Sequence, residues 1–279
     1  MLQTRRLLIA LIGTVTLLSV SAYTQEINTK LMETTFKIQG PAREKNKISL
    51  GTVFILGKRS KTETKVGDIV LITAAHVLED IQGDKAILVL RKKEIDGQYT
   101  KRLYTVSIRK GEKQLWYHHP DPKIDVAAMY IALPDDLGIT VISTELLADD
   151  SLFSKFEIHP GDELLSLGFP LGAEANPAGF PILRSGKIAS YPLTPASKCR
   201  SFLFDFSIFK GNSGGPVYCY YQSRKYGGEI HLDLTIQAIV GLVTEQAFST
   251  AFPDQPLQLA VVIPAQFIKE TIASLPESK

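Results

Sequence analysis

Two cysteines in 279 residues are too few to hold a domain of this size together. A hydrophobic core must do that work, and a composition of 44% hydrophobic and 22% charged residues argues against a disordered or fibrous chain. No basic stripe and no run of like charge stands out, which removes the electrostatic footprint of a nucleic-acid-binding protein. No segment is low in complexity, and no internal repeat is visible. Near the N-terminus the uncharged run Leu7–Val20 has 14 residues, short of the roughly 20 that a spanning helix needs. No cysteine follows that run, so nothing there invites lipid attachment.

What the N-terminus does hold is ordered like a secretory signal peptide. Arg5 and Arg6 precede the apolar run, and Val20-Ser21-Ala22 follows it with small residues. Residues 1–22 are expected to be removed, leaving an exported chain, periplasmic or secreted, with no stable membrane insertion. Removal takes away two arginines and no acid, leaving 29 residues of each sign. In an oxidising compartment Cys199 and Cys219, which flank Ser213, are expected to pair and staple the intervening loop; two separate buried thiols are the other arrangement.

Beyond residue 22 the pattern is β: short runs of Val, Ile, Leu, Phe and Tyr, separated by Gly, Pro, Asp and Lys. Such spacing predicts an all-β sandwich or barrel. The first strand candidates are Thr35–Gln39, Gly51–Leu56, Asp68–Thr73, Lys85–Arg91, Leu103–Ile108 and Val126–Leu133. The second set is Glu163–Leu167, Ile182–Ala189, Ser201–Phe206, Pro216–Tyr221, Leu232–Val243 and Leu257–Ile263. This divides the chain into units at 23–145 and 163–279, joined by an acidic connection at 146–162. Two short helices are expected, over Ala74–Asp80 and Pro264–Leu275, the second with proline at its first position.

Three places carry possible chemistry. Gly211-Asn212-Ser213-Gly214-Gly215-Pro216 puts a serine in a glycine-rich turn, where a hydroxyl can be exposed and the Gly211 and Ser213 N–H groups can serve as oxyanion donors. Thr73-Ala74-Ala75-His76 leads from a strand into a helical turn with small residues beside the imidazole. Asp125 heads an apolar strand, where a carboxylate needs a partner. Each has a plainer reading as an ordinary turn, a structural histidine or a strand cap. Together, in the order His, Asp, Ser, they match the chymotrypsin arrangement and not the subtilisin or α/β-hydrolase ones. His118-His119 lacks a cysteine or third histidine at ligand spacing, so no metal is expected.

These residues resemble the trypsin-like serine peptidases, most closely the HtrA/Deg-type branch. The matching stretches are Leu71–Val77, Asp125-Val126-Ala127 and Gly211–Pro216, supported by Gly168–Gly172, Ser185–Ile188, Ile239–Leu242 and Leu259–Pro264. The resemblance implies two six-stranded antiparallel β-barrels, a site in the cleft between them and a short C-terminal helix. It implies peptide-bond hydrolysis of protein or peptide substrates by Ser213, His76 and Asp125, through an acyl-enzyme and without a cofactor. Asn212 stands where digestive members carry Asp, no Ile-Val-Gly-Gly start is present, and the sequence to Lys279 leaves no room for a PDZ module. By position, the specificity pocket is expected from Phe206, Ser207 and Ile208 on one side and Leu242, Val243, Thr244 and Glu245 on the other. Ser207 in place of an acid disfavours Lys/Arg and points to a small or medium apolar residue before the scissile bond; Asp205 and Glu245 keep a basic preference open. A latent peptidase, a non-catalytic secreted binding protein and an esterase are the competing readings.

Overall fold

The computed structural model describes residues 26–59, 66–252 and 254–277; the expected signal segment, 1–22, lies outside them. The six strand candidates of the N-terminal unit form β1 (Thr35–Pro41), β2 (Ile48–Arg59), β3 (Val66–Thr73), β4 (Lys85–Lys93), β5 (Tyr99–Ser107) and β6 (Ala127–Tyr130). They pair antiparallel in the order β5-β4-β1-β2-β3-β6; two two-residue strands, Tyr117–His118 beyond β6 and Ile142–Ser143 parallel to β2, make this an eight-stranded sheet. Val53, Phe54, Ile55 and Leu56 of β2 are all fully buried, as befits a central strand covered on both faces. Across the seam between β5 and the residues after β6, Tyr104 Oη donates to the Ala132 carbonyl at 2.9 Å.

The second unit supplies β7 (Glu163–Gly168), β8 (Ile182–Ile188), β9 (Phe202–Asp205), β10 (Pro216–Tyr221), β11 (Ile236–Phe248) and β12 (Pro256–Pro264). These close into a six-stranded antiparallel barrel, β7-β8-β9-β12-β11-β10. Every strand expected from the sequence is present, with its ends shifted by a few residues.

Helices cover the ends of the sheets. α1 (Ile27–Thr34) is absent from the sequence-based expectation; Ile27 and Leu31 form its buried stripe. α2 (Ala75–Asp80) follows β3 as expected. α3 (Asp150–Lys155) lies in the connection, its first turn capped by the Asp149 carboxylate, which accepts from Ser151 N and Leu152 N. α4 (Ala265–Ala273) buries Phe267, Ile268 and Ile272, with Pro264 at the cap, one position earlier than expected. Among the described residues no helix is long and apolar enough to cross a membrane.

The expected disulfide is not formed. Cys219 lies on β10 with its side chain inside the barrel core, while Cys199 is half-buried on a loop, and both are free thiols. Burial pushes the Cys219 thiol up to about 12, which keeps it protonated.

Arg91 on β4 is fully buried, yet among the described residues no carboxylate forms an ion pair with it. Its guanidinium donates instead to the carbonyls of Met32 (3.0 Å), Glu33 (3.0 Å) and Thr35 (2.6 Å) at the end of α1, and to Gly179 (2.7 Å) of the second unit. These are the carbonyls a helix C-terminus leaves without intrahelical partners. The rings of Phe36 and Phe180 sandwich it, with centroids at 4.4 and 4.6 Å. Burial lowers its pKa to about 9, although Tyr99, Glu33 and Glu174 oppose that shift. One side chain thus fastens α1, the first sheet and a loop of the second unit.

Replacing Arg91 by Met should cost about 3 kcal/mol, because several buried carbonyls lose their donor together. Urea unfolding measures this, and a midpoint close to that of the parent protein would refute it.

Candidate active site

Strand register brings the first two residues together. Thr73, the last residue of β3, is paired with Ala127 at the start of β6. His76, just after β3, and Asp125, just before β6, therefore leave the sheet at the same end. Buried Ala74 and Ala75 let α2 turn closely against the sheet. Asp125 Oδ2 lies 2.7 Å from His76 Nδ1, and Oδ1 accepts from the His76 backbone N–H at 3.0 Å. The two bonds fix both the carboxylate plane and the face of the imidazole.

The electrostatics follow from this geometry. Burial pushes the His76 pKa down, but the hydrogen bond and charge of Asp125 outweigh it, and the net shift is upward from 6.5; Asp80 and Glu245 add to it. For Asp125, burial pushes upward, and the His76 hydrogen bonds and charge pull the carboxyl below its ordinary value. Asp125 is thus held ionised beside an imidazole that binds its proton more tightly than usual.

Ser213 is set by its turn. Gly211 and Gly214 have φ of +99° and +84°, a region that favours glycine. A Cβ on Gly211 would lie 2.2 Å from the Phe169 carbonyl oxygen, and one on Gly214 2.1 Å from that of Thr52. The turn is pinned from the N-terminal unit by Thr52 of β2, whose N–H donates to Ser213 O (2.9 Å) and whose Oγ1 donates to Gly211 O (2.6 Å). Thr73 Oγ1 donates in turn to Thr52 O at 2.7 Å. From the other side, Gly214 N–H donates to Val243 O at 2.7 Å. Among the described residues the N–H groups of Gly211 and Ser213 have no hydrogen-bond partner. Gly211 is buried, and a buried amide left without an acceptor is uncommon. The Ser213 hydroxyl donates to the Thr244 carbonyl at 2.7 Å and not to His76.

His76, Asp125 and Ser213 line one cleft of about 440 Å³, with Ile208–Lys210 and Thr244–Gln246 as its other walls. Of the residues expected in the pocket, Ile208 is in this lining and Ser207 is half-buried behind it, its carbonyl accepting from Arg184. Leu242 and Val243 are fully buried in the barrel core. The wall on that side is Thr244, Glu245 and Gln246, because the pairing of β11 with β12 shifts register between Val243 and Gln246 and turns the chain outward there. Phe209 and Lys210, not singled out from the sequence, complete the opposite wall. His119 holds Glu270 of α4 at 2.9 Å and His231 stacks on Tyr226. No group of three or more His, Cys, Asp or Glu among the described residues is placed to hold a metal ion.

Among the solved structures that this chain resembles are two proteases of 15% identity each. The serine endoprotease from Yersinia pestis gives a TM-score of 0.48 over 88% of this chain and 65% of its own. The Rv3671c protease from M. tuberculosis, in its active form, gives 0.47 over 91% of this chain and 85% of its own. This chain therefore spans about two thirds of the length of the Yersinia protein. No curated protein matches at a significant level. The model of the trypsin-like peptidase domain matches residues 43–224, a stretch that holds His76, Asp125 and the whole Ser213 turn, and this protein belongs to that family.

Proposed function

We propose that the protein is a serine endopeptidase that hydrolyses peptide bonds of protein substrates, with Ser213 as nucleophile, His76 as general base and acid, and Asp125 as the group that orients His76. The observation that carries this reading is the meeting of the ionised Asp125–His76 pair and Ser213 in one cleft, beside the unpartnered Gly211 and Ser213 N–H groups. The Ser213 oxygen attacks the scissile carbonyl carbon and its proton passes to His76. The developing oxyanion takes the two free N–H groups, and His76 then protonates the leaving amine. Water repeats the sequence on the acyl-enzyme. No metal or organic cofactor enters.

Before proton transfer, Ser213 Oγ must leave the Thr244 carbonyl and turn towards His76. This is the one observation that favours a second reading, a latent enzyme awaiting a partner or N-terminal processing. The walls Ile208 and Phe209 suit an apolar residue before the scissile bond, while Lys210 and Glu245 place opposite charges at the same cleft. Export after loss of residues 1–22, and kinship with the HtrA/Deg-type branch, belong to this same proposal.

A fluorophosphonate probe should label Ser213 in the protein lacking residues 1–22, and the adduct, located by mass spectrometry, should vanish in Ser213→Ala. A well-folded protein that takes no label would favour the latent form. Asp125→Asn should lower kcat by a factor on the order of 10⁴, the effect of the same change in a chymotrypsin-type triad, with the fold retained by circular dichroism; parent-like turnover would sink the assignment.

The pH profile has a definite sign. The base must be neutral His76, and Asp125 raises its pKa. Activity should therefore rise with pH through a midpoint above the ordinary 6.5 of histidine. A kcat/KM profile whose acid limb lies below 6.5 would contradict the pairing.

A further inference from the structure

The segment between β7 and β8, residues 169–181, belongs by chain order to the second barrel but is fastened to the first. Glu174, its only carboxylate, lies 2.6 Å from Lys37 Nζ on β1 and also pairs with Lys101 on β5. Lys37 Nζ reaches the Gly172 carbonyl as well, at 3.2 Å. The Lys37 and Glu174 side chains are only 13% and 15% exposed, so solvent screens their attraction weakly. Burial works against the Glu174 charge, and the hydrogen bonds and charges of Lys101 and Lys37 prevail, pulling its pKa down. The carboxylate is ionised at neutral pH.

Three residues upstream, the same segment touches the serine turn. Leu171 N–H donates to the Lys210 carbonyl at 2.7 Å. Leu171 is 72% exposed and has φ +53°, a left-handed conformation that persists only where the surroundings enforce it. Gly172 N–H closes the bend onto Phe169 O at 2.8 Å. The bond to Lys210 has a geometric consequence. A peptide group is planar and trans, with its C=O and N–H pointing in opposite directions. A donor fixed on the Lys210 carbonyl therefore fixes the direction of the Gly211 N–H.

Resting on the catalytic reading above, we propose that Glu174 is a positioning residue for the oxyanion site. Its ion pairs with Lys37 and Lys101 hold the bend at Leu171, and Leu171 holds the Lys210–Gly211 peptide in the orientation that aims the Gly211 N–H at the oxyanion. The N-terminal barrel thereby controls an oxyanion donor that lies 37 residues further along the chain than Glu174.

The test compares the parent protein with Glu174→Gln and Glu174→Asp, measuring the fluorophosphonate labelling rate at Ser213, kcat and KM on a peptide ester, the acid-limb pKa and Tm. Misaiming one donor should slow labelling and kcat in Glu174→Gln by roughly ten- to a hundredfold. KM should stay within about twofold and the acid limb should not move, since Glu174 is not among the groups that shift the His76 pKa. Glu174→Asp should recover much of the rate. Lys101→Met, at the more exposed partner, should give a smaller loss of the same kind and covers the case in which Glu174→Gln fails to fold. Unchanged labelling in both Glu174→Gln and Lys101→Met would overturn the proposal. So would a loss that moves with Tm and with the acid-limb pKa, because that marks general loosening. A parent protein that takes no label at Ser213 would instead defeat the catalytic reading, and this proposal with it.

Discussion

The active-site geometry depends on one threonine. Thr52 sits in the middle of β2, fully buried, and its N–H and hydroxyl both reach across the cleft to the serine turn. Its carbonyl accepts from Thr73, the residue from which the chain departs towards His76. His76 and Ser213 are thus referred to the same point of one strand. Bonds of this kind are strong in a dry interior, and losing either partner strands a buried polar group. The N-terminal sheet and the closed barrel are thereby tied together beside His76 and Ser213.

Most of the fold is written locally. Twelve strands can be read because each is a short β-branched or aromatic run between turn residues. Their ends are less legible, because backbone pairing continues past the last apolar side chain: β2 runs to Arg59, although its apolar run stops at Leu56. α1 could not be read at all. Only Ile27 and Leu31 mark its inner face, and its buried Lys30 and Glu33 look in sequence like a solvated surface. What makes them tolerable there is their own ion pair at 3.2 Å, and what fixes the helix end is Arg91, 59 residues from Met32. α3 left a readable signal, Asp149 before Asp150-Ser151, in a stretch taken for plain connection.

The site shows the same division. His76, Asp125 and Ser213 each stand in a motif next to a strand end, so local sequence locates them and strand register brings the first two together. The pocket wall did not follow: Leu242 and Val243 are still regularly paired and fully buried, and the wall falls to Thr244–Gln246, where the pairing of β11 with β12 changes register. Reading the chain as exported to an oxidising compartment suggests a bridge between Cys199 and Cys219, but both are free thiols and the side chain of Cys219 is committed to the barrel interior. The present partner of the Ser213 hydroxyl is a main-chain carbonyl, and no residue type announces that.

The clamp on the serine turn joins positions 159 residues apart. Contacts between positions so far apart in the chain slow folding. Residue 52 leaves the ribosome long before residue 211, so this clamp forms only once both ends have been made. On the proposed catalytic reading, the order of synthesis separates the making of this chain from any power to cut its neighbours, because the Ser213 turn is clamped only after the N-terminal sheet and the closed barrel have both been made.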